Sequence, residues 1–118
     1  MEINIEGMIN KLEYDVNEFI IRNAELKKLK GLKDKLEAIY SCELRKGLLQ
    51  LAFNNTNTRD NEKIAQLRLN RDLAIIRYYL MKSYIEDIKF EIEVLISMLI
   101  WLTINFSAIK GEEIRGLN

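Results

Sequence analysis

The chain has 118 residues, 48% hydrophobic and 31% charged, with eighteen basic residues balanced by eighteen acidic ones. That is the length of one domain, and the composition suits a chain that folds. It has no His, no Pro and one Cys. These absences exclude Ser-His-Asp triads, HExxH and di-iron sites, thiolate zinc sites and intrachain disulfides, and they leave helices without proline breaks.

Met1 to Glu6 carries no positive region followed by an apolar run, so a secretory signal is not expected and the location is taken as cytoplasmic. The lone Cys42 suits a reducing compartment and, with no His to activate it, reads as a passive thiol.

From Ile5 the first arm, about residues 3–53, places Ile9, Leu12, Val16, Phe19, Leu26, Leu29, Leu32, Leu36, Ile39, Leu44, Leu48 and Leu51 at helical spacing. The register shifts near Gly31, and a helix-interior Gly costs about 1 kcal/mol against Ala. The arm is therefore one helix, or two with a break near Gly31. The polar run 54–61, rich in Asn, Thr and Asp, favours a turn and a helix start, and the reversal is placed there.

The second arm, about residues 58–110, has the stronger pattern. Alternating steps of three and four from Ile64 run through Leu67, Arg71, Ala74, Tyr78, Met81, Ile85, Ile88, Ile92, Leu95, Leu99, Leu102, Phe106 and Ile109, thirteen apolar positions of fourteen. Arg71 is the charged exception, and a reversal near residue 56 predicts that it pairs with Glu43. Residues 111–118 read as a short tail. The expected fold is all-α: a single domain, 1–118, forming a long antiparallel helical hairpin that assembles into an oligomeric coiled-coil-like bundle.

Self-assembly is expected because Leu69, Leu73, Ile76 and Leu80 form a second apolar row beside the seam, which one neighbouring helix cannot also cover. Toward the C-terminus Ile96, Met98, Ile100, Trp101 and Ile104 point around the remaining circumference and are the expected oligomerisation residues. A homodimer or higher oligomer follows, with a two-fold axis setting Trp101 near its symmetry mate or the partner's Phe106. The uncharged run 94–109 is short of a bilayer core and has Trp101 in its middle, so membrane insertion is not expected.

The net charge of zero hides a segregation. Residues 22–82 hold fourteen Lys or Arg against seven Asp or Glu, a balance of +7, while 1–21 carry −4 and 83–118 carry −3. Lys27, Lys28, Lys30 and Lys33, joined across the hairpin by Arg68 and Arg77, are the candidate partner-binding residues, suited to an acidic protein surface or to nucleic-acid phosphates. No base-reading motif accompanies them.

Asp15-x-x-Glu18 and Asp87-x-x-x-Glu91 bear a limited resemblance to the facing carboxylates with which helical nucleotide pyrophosphohydrolases hold Mg²⁺, but those families use Glu-x-x-Glu and Glu-x-x-Asp pairs. The architecture is similar to small antitoxins, head and tail accessory proteins and phage-encoded inhibitors of host enzymes. The expected function is non-enzymatic macromolecular binding, as an inhibitor, adaptor or accessory protein directed at a nucleic-acid enzyme. Direct nucleic-acid binding stands second and Mg²⁺-dependent hydrolysis third. No cofactor, catalytic residue or metal ligand is assigned.

Overall fold

In a computed structural model the described residues are 4–52 and 58–116, with side chains described over 4–49 and 61–107. They form two helices, α1 (Ile5–Ala52) and α2 (Thr58–Gly116). The all-helical expectation holds, and α2 runs through most of the stretch read as a tail. The start of α1 is capped by Asn4, whose side-chain Oδ1 accepts from Gly7 N–H at 2.9 Å and whose carbonyl accepts from Met8 N–H at 3.0 Å. A side-chain acceptor at this position satisfies an amide that the helix itself leaves open. Of the predicted turn, 54–61, residues 54–57 lie outside the described residues and 58–61 belong to the first turn of α2.

The helices pack as two compact units, one made of residues up to Ile21 with those from Ile85 onward, the other of Arg22–Tyr84. In the Arg22–Tyr84 unit the inward positions of α1 are Arg22, Leu26, Leu29, Lys33, Leu36, Tyr40, Glu43 and Gly47, all buried or half-buried. They follow steps of four and three without interruption. On α2 the inward positions Ile64, Leu67, Arg71, Ala74, Tyr78 and Met81 are those predicted from sequence. Cross-helix contacts descend along α2 as they rise along α1: Lys33 Nζ lies 5.2 Å from the Tyr78 ring centre, the Arg71 guanidinium 4.2 Å from that of Tyr40, and Glu43 3.4 Å from Lys63. The pair is antiparallel.

In the other unit Met8, Leu12, Asp15 and Phe19 face inward from α1, and Ile85, Ile88, Ile92, Leu95, Leu99 and Leu102 from α2. Lys11 reaches Glu91 across the helices at 3.5 Å. Phe106, expected on the seam, is exposed instead.

For α1 one expectation is corrected and one open alternative is decided. There is no register shift at Gly31: the seam keeps its heptad because charged residues occupy four of its places, so the apolar residues alone gave a false phase. Ile5, Ile9, Val16, Leu32, Ile39 and Leu48, read as inward, are exposed. The helix is also continuous through Gly31, where an added Cβ meets nothing within 4 Å. Gly31→Ala is therefore expected to stabilise the fold by about 0.5–1 kcal/mol, by restricting the unfolded chain and favouring the helix. Urea unfolding at fixed chain concentration measures this, and a loss of stability would mean that α1 needs a bend there.

The expected Arg71 to Glu43 pair is likewise corrected. Arg71 donates from Nε and Nη2 to Asp72 Oδ1 at 3.0 and 2.8 Å and stacks on Tyr40, while Glu43 is held by Lys46 and Lys63, each at 3.4 Å. The opposite number of Arg71 is Tyr40, about one helical turn from Glu43, because the helices meet in a slightly different register from that expected of a reversal at residue 56.

Candidate interaction surface

The six predicted basic residues do not form one surface. Lys27 and Lys30 each follow a seam position, Leu26 and Leu29, whereas Lys28 precedes Leu29. At about 100° per residue this puts Lys28 on one flank of α1 and the other two on the opposite flank. Lys28 shares its flank with Arg77: the two line a groove of about 460 Å³ with Glu25, Leu29, Leu80 and Met81. Glu25 accepts both oxygens' worth of hydrogen bonds from Arg22 Nη1 at 2.9 Å. Lys28 and Arg77 have no side-chain partner among the described residues.

Lys33 and Arg68 are committed within the fold. Lys33 lies over Tyr78 and within 3.4 Å of Asp34 and 3.8 Å of Glu37. Burial pulls its ammonium down, but the hydrogen bond to Asp34 and the charges of Glu37 and Asp34 outweigh this and hold its pKa above the ordinary lysine value. Arg68 donates from Nε to the Tyr40 hydroxyl at 3.0 Å. Tyr40, itself buried, is thus clasped by Arg68 and Arg71, a role that sequence inspection did not find. Nearby, hydrogen bonding to Lys63 is the main influence holding the Glu43 carboxyl below its usual value.

The predicted oligomerisation residues Ile96, Met98, Ile100, Trp101 and Ile104 are all exposed. Trp101 and Ile104 belong to a longer row on α2, whereas Ile96, Met98 and Ile100 stand beside it. Two residues beyond successive α2 seam positions stand Leu69, Leu73, Ile76 and Leu80 in one unit and Phe90, Val94, Trp101 and Ile104 in the other, with exposures from 38% to 68%. Only Ser83, Asp87 and Ser97 interrupt this row. Sequence inspection identified its first four members and missed Phe90 and Val94; the offset from the heptad was the available signal.

Polar side chains in the same region turn back on their own helix. Thr103 Oγ1 donates to the Leu99 carbonyl at 2.7 Å and Asn105 Nδ2 to that of Trp101 at 2.9 Å. Covering this surface would therefore leave those donors satisfied. By length and composition α2 is also long and apolar enough to cross a membrane, with a mean hydropathy of 1.5 in its most apolar stretch.

The carboxylates considered for Mg²⁺ are arranged otherwise. Lys11 Nζ stands 3.4 Å from Asp15 and 3.5 Å from Glu91, so an ammonium occupies the space between them. The Asp15 charge, foremost, and that of Glu91 hold the Lys11 pKa above its ordinary value. Among the described residues no group of three or more His, Cys, Asp or Glu side chains is placed to hold a metal ion. Comparison with protein-family models, with curated proteins and with solved structures finds no match.

Proposed function

We propose that this chain is a non-enzymatic helical binding protein that works as an oligomer of itself and engages an acidic partner protein in the manner of an adaptor or inhibitor. The observation that carries the reading is the exposed apolar row of α2. Among the described residues five are buried, Tyr40, Ala74, Ile85, Ile88 and Asp15, and none of the large side chains is fully enclosed.

A second copy is the simplest cover, since its row supplies the same apolar surface. Lys27 and Lys30, on the flank away from the Lys28–Arg77 groove, then remain available to another macromolecule. A protein partner is favoured over nucleic acid because the cations do not line up: two lie on one flank, two on the other, and two are held by tyrosines and neighbouring acids. Phosphate backbones reward a continuous basic track.

Light scattering in detergent-free buffer at about 10 µM tests the assembly, with a dimer or larger particle as the expected result. A helical monomer would overturn it. Fluorescence anisotropy with a labelled DNA duplex tests the partner class: no binding is expected at about 150 mM salt, whereas binding that falls steeply between about 50 and 200 mM would replace the protein partner by nucleic acid. Flotation with neutral vesicles would replace the soluble bundle by membrane insertion of the apolar stretch.

A further inference from the structure

We infer that the second copy docks reciprocally, the basic unit of each chain seating on the acidic unit of the other, with the partner's Phe90 entering the groove between Lys28 and Arg77. This rests on the self-associating reading above and adds its orientation. The boundary between the two packed units coincides with the boundary between the charges. Residues 22–84 carry fourteen basic and seven acidic side chains, +7, and the remainder carries four basic and eleven acidic ones, −7.

Apolar burial alone does not choose between arrangements, because each unit offers four residues of the same row. Charge does choose. Like units facing each other would set +7 on +7 and −7 on −7, whereas the reciprocal arrangement cancels both. Like-charge juxtaposition at an interface opposes association, and complementary patches steer it.

The local chemistry agrees. Phe90 is 68% exposed, and its neighbour Asp87 stands exposed beside it on α2, while Glu91 is paired with Lys11 at 3.5 Å. The groove has an apolar lining in Leu29, Leu80 and Met81 and two cations, Lys28 and Arg77, that have no side-chain partner among the described residues. Seating the ring there brings Asp87 to those cations.

Analytical ultracentrifugation of the full chain tests the orientation, with circular dichroism confirming that each variant is helical. The dimer is expected to weaken about tenfold between roughly 50 and 500 mM NaCl, as screening removes the complementarity. Lys28→Glu with Arg77→Glu is expected to weaken it at least about tenfold at low salt, and adding Asp87→Lys in the same chain to restore part of it. In a Cys42→Ser background, chains carrying Leu80→Cys and Phe90→Cys are expected to cross-link on mixing and not alone. A dimer that tightens with salt, or cross-links like with like, overturns the orientation and leaves self-association standing. A monomer at every salt concentration overturns both.

Discussion

A chain carrying Trp101→Glu and Ile104→Glu is expected to sediment as a monomer, or to aggregate, at concentrations where the natural sequence is a stable oligomer. Both side chains are 63% exposed in the single chain and belong to the row two places beyond the seam. Covering what they expose contributes about 1–2 kcal/mol each, so four copies across a symmetric dimer contribute about 4–8 kcal/mol, a thousandfold or more in affinity. Carboxylates at those places add a desolvation cost. Because neither residue touches the seam, helicity within the hairpin is expected to change much less than the association constant. Sedimentation velocity with far-ultraviolet circular dichroism reads both quantities. An unchanged oligomer would move the interface off this row.

The contrast between the two helices explains how far the sequence was legible. On α2 the inward places are mostly Ile, Leu, Ala, Tyr and Met, with polar residues between them from Ile64 to Ile92, so counting recovered the seam up to Leu102. On α1 the inward places include Asp15, Arg22, Lys33 and Glu43, and an apolar count slid to Ile5, Ile9 and Val16, which are exposed. Long side chains can lie along a helix pair with their stems packed and their heads paired, so hydrophobic identity is a poorer guide to the seam than uninterrupted spacing.

The candidate site was legible in its parts and not in its grouping. Lysines were visible as a cluster, but one residue of offset separates Lys28 from Lys27 and Lys30 onto opposite flanks. Tyr40 was unremarked because its importance depends on two arginines from the other helix. Charge segregation was plain in the sequence; its coincidence with the packed units needed the fold.

Asp15→Leu is expected to raise stability by about 1–3 kcal/mol, the range seen when poorly compensated buried charges give way to apolar side chains. The carboxyl is 2% exposed; one oxygen lies 3.4 Å from Lys11 Nζ, and the other, Oδ2, is buried with no hydrogen-bond partner. Lys11 divides its ammonium between Asp15 and Glu91 and lies 5.3 Å from the Tyr14 ring centre, so its hold on Asp15 is partial. A seam place between Leu12 and Phe19 accepts Leu without a polar group to strand. What the carboxyl supplies in return is specificity: a polar residue at a heptad core place admits few alternative registers. The substitution is therefore expected to raise the thermal midpoint by several degrees while broadening the distribution of oligomer masses in light scattering. Asp15→Asn, which keeps the shape and a polar end, is expected to leave that distribution narrow. Comparison at equal chain concentration is required, since association itself shifts the midpoint. A lower midpoint for Asp15→Leu would instead make the Lys11–Asp15 pair a net support of the fold.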